Sequence, residues 1–119
     1  MDFNFTPDQL ALKKMAQEVV AKEIIPYALE MDHNGKMRPG LLQKLDEAGL
    51  INLVVPEEFD GPGLDAVTIA LIYEELGKGC AGVATSVAAN ALASYPVILM
   101  GTDEQKKHDD FVDRMMEKG

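Results

Sequence analysis

Asp65-Ala66-Val67-Thr68-Ile69-Ala70-Leu71-Ile72-Tyr73-Glu74-Glu75-Leu76-Gly77, followed after Lys78 by a run without formal charge from Gly79 to Thr102, is the stretch whose reading decides the fold. Asp65 offers an N-cap and Gly77 a stop. Between them Val67, Ile69, Ala70, Leu71, Ile72, Tyr73 and Leu76 leave almost no polar side, so this helix is expected to be buried among others. The uncharged run is long enough to cross a membrane. Thr85, Ser86, Asn90, Ser94 and repeated alanines make it only weakly hydrophobic, however, and Pro96 is expected to bend it. A central helix within a soluble bundle therefore outweighs a membrane span.

Working outward, Thr6-Pro7-Asp8-Gln9 opens an earlier helix: a cap, a first-turn proline, an acid at the positive end and a capping-box partner. Leu12, Met15, Ala16, Val19 and Val20 follow at helical spacing. Pro26 predicts a break near Ile25, with a shorter helix through Met31 and a turn at Asp32-His33-Asn34-Gly35. A third helix is expected from about Pro39 to Ala48, with Leu41, Leu42 and Leu45 inward and Gly49 ending it. Leu50 to Val55 is too short to separate strand from buried extended chain, and Pro56 through Gly63 reads as a loop. Downstream, Thr102-Asp103-Glu104-Gln105 repeats the opening device of Thr6 to Gln9, and Phe111, Val112 and Met115 supply an apolar edge to a last helix. The expectation is one all-α domain over residues 1–119, a compact bundle of about five to six helices.

Composition narrows the function. The formal net charge of −9 opposes binding to nucleic acid phosphates. Cys80 stands alone, which rules out an internal disulfide and fits a reducing compartment. With Met1 as the start, a helix signal at Thr6 leaves no room for a presequence, so a cytoplasmic location is expected.

No catalytic constellation stands in these residues. His108 with Asp109 and Asp113 has metal-ligand types on one helix face, but solvated charges are the commoner reading, and no metal site is assigned. Glu57, Glu58 and Asp60 lack the alternating spacing of a calcium loop. Gly61 and Gly63 lack the Lys-Ser/Thr of a phosphate cradle. Cys80 has no histidine placed to activate it, and Ser86 and Ser94 have no nucleophile elbow.

A series of short pieces carries more information in order than singly. These are Phe5-Thr6 with Gln9, Glu23-Ile24-Ile25-Pro26, Gly49-Leu50, Val55-Pro56-Glu57-Glu58-Phe59 with its glycine loop, Tyr73-Glu74-Glu75-Leu76, Gly82-Val83, and Gly101-Thr102 with Gln105-Lys106-Lys107. From Asp2 to Lys107 the chain resembles the N-terminal helical domain of the flavin-dependent acyl-CoA dehydrogenases. Asp60 departs from that pattern, which usually has glycine there.

The resemblance implies an oxidoreductase of fatty acid metabolism that uses FAD, works on acyl-CoA as dehydrogenase or reductase, and assembles as a homotetramer. The flavin and the proton-abstracting glutamate belong to a β-rich middle domain and a C-terminal helical domain, neither of which lies in these 119 residues. The chain alone is therefore expected to hold no cofactor and no catalytic residue, and to be inactive. Two lesser roles are implied for it. Ala84, Thr85, Ala88 and Leu92 would line the far end of the acyl pocket, where Ala84 and Ala88 either deepen the floor or simply let two helices approach. Leu12, Val19, Glu23, Ala48, Leu50, Pro62, Leu64 and Ile72 would receive a leucine of electron-transfer flavoprotein. Glu23 would bond the incoming backbone; the rival reading is that Leu12, Val19 and Ile72 are core. An alternative function of another class is a free-standing helical adaptor using the same apolar patch.

Overall fold

The structure is a computed structural model in which residues 3–106 are described. Among those residues the ordered elements are helical, and no strand occurs. The helices are α1 (Pro7–Val19), α2 (Ala28–Asn34), α3 (Leu41–Glu47), α4 (Ala66–Gly79), α5 (Ala81–Met100) and α6 (Asp103–Lys106). Phe111, Val112 and Met115, expected in the last helix, lie outside the described residues, as do His108, Asp109 and Asp113.

The caps form as the sequence dictates. Gln9 N–H donates to Thr6 Oγ1 at 3.2 Å while the Thr6 N–H donates to Gln9 Oε1 at 3.0 Å. Thr102 and Gln105 repeat this exchange at 3.2 and 2.9 Å. Thr68 N–H donates to Asp65 Oδ1 at 2.9 Å, opening α4.

Pro26 acts differently from the expected break. Having no N–H, it cannot bond the carbonyl four residues back, and its ring crowds that carbonyl. The chain absorbs this by widening rather than breaking. Val20–Ile24 form a π-turn in which the Ile25 N–H reaches Val20 O, and a 3₁₀ turn at Ile25–Tyr27 leads into α2. Helix α3 starts later than expected because Arg38 to Leu41 form a turn. Pro39 sits at its second position, Gly40 at φ 77°, and Leu41 N–H donates to Arg38 O at 3.2 Å. Helix α4 passes Gly77 and ends at Gly79.

The core is built from Ala16, Val20, Ile24, Leu41, Leu45, Leu50, Ile51, Leu53, Ile69, Ile72, Leu76, Val83 and Val87, with Met31. Leu50 to Val55 turns inward without forming a strand: Leu50, Ile51, Leu53 and Val55 are buried and Asn52 stands at φ 58°. Helices α1 and α4 pack side by side and run in the same direction. Lys13 meets Glu75, and farther along Gly79 meets Val20 and Ile24. Helix α5 then folds back along α4.

Helix α5 corrects the sequence reading. It was expected at the centre of the bundle and lies at its edge, with only 22 % of its most apolar stretch buried. Val83, Val87, Ala91 and Ser94 form one buried stripe. Because apolar and small residues surround the helix on all sides, its pattern does not say which side is covered. The molecule measures 42 × 42 × 20 Å, a slab about two helices thick. Helix α5 is long and apolar enough to cross a membrane by length and composition alone.

Candidate functional site

The residues implied for the acyl tail share the bare side of α5. Ala84 and Ala88 are half-buried beside the packed stripe, while Thr85 and Leu92 are exposed, Leu92 to 75 %. Leu99, at 72 % exposure, and Tyr95 lie on the same side. Thr85 Oγ1 donates back to Ala81 O at 2.8 Å, so its hydroxyl is satisfied within the helix and presents mainly its methyl. The face is therefore apolar, uncharged and open. Tyr73 on α4 lies near Tyr95, and burial first, then Tyr95, pushes its hydroxyl above the usual tyrosine range.

The seven apolar residues among the eight implied for the partner separate into two groups. Val19, Ala48 and Leu64 are half-buried and pack onto the same core, Leu12 is half-buried on α1, and Pro62 is exposed. Leu50 and Ile72 are 0 % and 1 % exposed and belong to the core. The reason is local. Gly49 at φ 70° turns the chain so that Leu50 N–H bonds Leu45 O at 2.8 Å, carrying the side chain inward. Ile72 belongs to the buried face of α4.

Glu23 is held more firmly than a surface acid. Its side chain is 12 % exposed and Oε2 accepts from Lys44 Nζ at 2.7 Å and Arg38 Nη2 at 2.8 Å. Those two bonds, Lys44 before Arg38, hold its carboxyl below the ordinary range against the opposing effect of burial. Tyr27 and Arg38 also line a groove of about 440 Å³ with Glu30, Met31, Asn34, Lys36, Met37 and Pro39.

A buried acid, Glu75, escaped the sequence reading. Glu75 accepts from Lys78 Nζ at 2.9 Å, and Lys13 Nζ stands 3.6 Å away on α1. The hydrogen bond from Lys78 keeps the Glu75 carboxyl low, and Glu75 with Glu74 keeps Lys78 high. The Lys78 contacts were legible as helix spacings of three and four; Lys13 and Arg38 come from distant segments and leave no periodic trace.

The glycine loop takes a defined form. Gly61 N–H donates to Pro56 O at 3.0 Å and Gly63 N–H to Val55 O at 3.1 Å. A Cβ on Gly61 would collide with the Val55 backbone. Asp60 sits at φ 58°, a conformation glycine adopts freely, so the departure at this position preserves the loop at some strain.

Comparison with known proteins completes the picture. The family model described as acyl-CoA dehydrogenase, N-terminal domain, matches residues 6–116. The “Probable acyl-CoA dehydrogenase YngJ” of Bacillus subtilis is 36 % identical over 108 residues, which is 90 % of this chain and 28 % of that protein. The mitochondrial short-chain specific acyl-CoA dehydrogenase of Bos taurus is 36 % identical over 98 residues, 81 % of this chain and 24 % of its own length. Butyryl-CoA dehydrogenase of Megasphaera elsdenii superposes with a TM-score of 0.82 at 32 % identity, covering 98 % of this chain and 31 % of that one. A chain in a structure described as the electron transferring flavoprotein of Acidaminococcus fermentans gives 0.85 at 38 %, covering 92 % and 29 %. The chain thus spans about a quarter of the length of the relatives it matches. It belongs to the acyl-CoA dehydrogenase family, and what it represents is that family's N-terminal domain.

Proposed function

We propose that this domain serves a flavin-dependent acyl-CoA dehydrogenase of the cytoplasm in two ways: α5 lines the distal end of the acyl pocket, and the surface around Leu12 docks electron-transfer flavoprotein. The observation that carries the first role is the bare side of α5, where Thr85 and Leu92 stand exposed beside half-buried Ala84 and Ala88 on a helix without charge. A face of that size left in water is unfavourable by about 25 cal/mol for each Å², and an acyl chain with the remaining domains would cover it.

FAD would supply the hydride acceptor when bound to the whole enzyme. The glycine loop that most resembles a phosphate cradle carries Glu57, Glu58 and Asp60, whose charges repel a pyrophosphate. Ala84, Thr85, Ala88 and Leu92 on α5 would exclude water from the tail and bound its length. Small side chains at Ala84 and Ala88 leave depth for a long or branched acyl group.

The docking role is supported by the half-buried apolar side chains of Leu12, Val19, Ala48 and Leu64, by exposed Pro62 and by Glu23 as the polar member. The experiment is the acyl-CoA chain-length profile of the full-length flavin-loaded protein with Ala88→Leu. Turnover should shift toward shorter chains with flavin content unchanged; an unaltered profile would remove α5 from the pocket.

A further inference from the structure

Glu23 sits in the π-turn between α1 and the 3₁₀ turn, and two segments distant in sequence converge on it. Arg38 comes from the turn before α3. Its guanidinium lies over the Tyr27 ring with Cζ 3.9 Å from the ring centre. Nη2 donates to Glu23 Oε2 at 2.8 Å and to the Glu23 carbonyl at 3.3 Å. Lys44, on α3 itself, donates to the same Oε2 at 2.7 Å. Both strong donors therefore fall on one carboxylate oxygen. Among the described residues the other, Oε1, is approached by Lys22 Nζ alone, at 3.8 Å, too far for a hydrogen bond and on a side chain 82 % exposed.

We infer that Arg38 and Lys44 are positioning residues for partner docking: they pin Glu23 through Oε2 and leave Oε1, which accepts no hydrogen bond among the described residues, as a fixed acceptor for a backbone N–H of the docked flavoprotein loop. The inference rests on the docking role proposed above. Fixing a glutamate side chain at the moment of binding costs rotamer entropy, and here that ordering is done in advance. The arrangement also keeps the carboxylate charged, and a charged acceptor makes the stronger bond.

Isothermal titration of the full-length flavin-loaded protein with electron-transfer flavoprotein from the same cells tests this. Arg38→Met and Lys44→Met should each raise Kd several-fold, up to about tenfold, and Arg38→Lys should recover part of the loss. On a Glu23→Ala background, adding Arg38→Met should weaken binding no further, because its effect passes through Glu23. Unchanged Kd in the single variants, or an equal further loss on the Glu23→Ala background, would overturn the inference. If Arg38→Met fails to fold, the half-exposed Lys44→Met, alone and with Glu23→Ala, decides the matter in the same way. A wild-type protein that does not bind, or a Leu12→Asp variant that binds as well as wild type, removes the docking role itself, and the positioning role falls with it.

Discussion

Two glycines two residues apart on α4 should respond to alanine with opposite signs. A Cβ built at Gly79 would lie 2.6 Å from Val20 Cγ1 and 3.1 Å from Ile24 Cγ2, against an ordinary carbon contact of about 3.5–4.0 Å. Val20 and Ile24 are 3 % and 0 % exposed, and both are β-branched, so neither can rotate aside. Overpacking of this sort costs about 1–3 kcal/mol. The gain in helix propensity from Gly to Ala is at most about 1 kcal/mol, and less at the last residue of a helix. Gly79→Ala should therefore destabilise by about 1–2 kcal/mol, a fall in Tm on the order of 5–15 °C for a domain of this size. At Gly77 the same Cβ meets nothing within 4 Å. Gly77→Ala should keep the propensity gain alone and raise Tm by a few degrees. Thermal unfolding followed by far-ultraviolet circular dichroism measures both. Equal stability of Gly79→Ala and wild type would mean that α4 does not end against the π-turn, and the packing described for α1 and α4 would be wrong.

Asp60→Gly should stabilise by roughly 0.5–1 kcal/mol in urea denaturation, since it relieves a left-handed non-glycine residue at φ 58°; a loss of stability would show that the Asp60 side chain supports the loop. Leu76→Ala, at a position 0 % exposed, should cost about 2–5 kcal/mol in the same assay, and a change near zero would place Leu76 outside the core. Glu75 has its folded-state pKa depressed by Lys78, so its contribution is complete above the ordinary value of 4.5 and is lost as pH falls below it toward the folded value. Glu75→Gln should accordingly flatten the acid side of a plot of urea midpoint against pH, and a variant with the wild-type slope would show that other acids set it.

What the sequence declared was local. Caps at Thr6, Asp65 and Thr102 were legible because each is a short-range exchange between a side chain and a backbone three residues away. The apolar face of α4 was legible because helical spacing repeats it. Pro26 was legible as a disturbance but not as a π-turn, because the choice between breaking and widening depends on Val20 and Ile24 being held in the core. The position of α5 was misread for a related reason: a helix apolar all round announces burial without naming its partner, and here only one stripe finds one. The resemblance names eight positions for a partner without separating Leu50 and Ile72, which the fold buries, from half-buried Leu64 and exposed Pro62. Arg38 and Lys44 were invisible because contacts 15 and 21 residues apart follow no period.

The bare side of α5 carries the functional account, and its accessibility is the most direct thing to measure. With Cys80 replaced by serine and Leu92→Cys as the reporter, the rate of thiol labelling should be fast in the 119-residue chain. It should be slower in the full-length protein and slower again with a long-chain acyl-CoA bound. Equal rates in all three would contradict the account, because a face that neither the rest of the enzyme nor its substrate covers cannot be the floor of an acyl pocket.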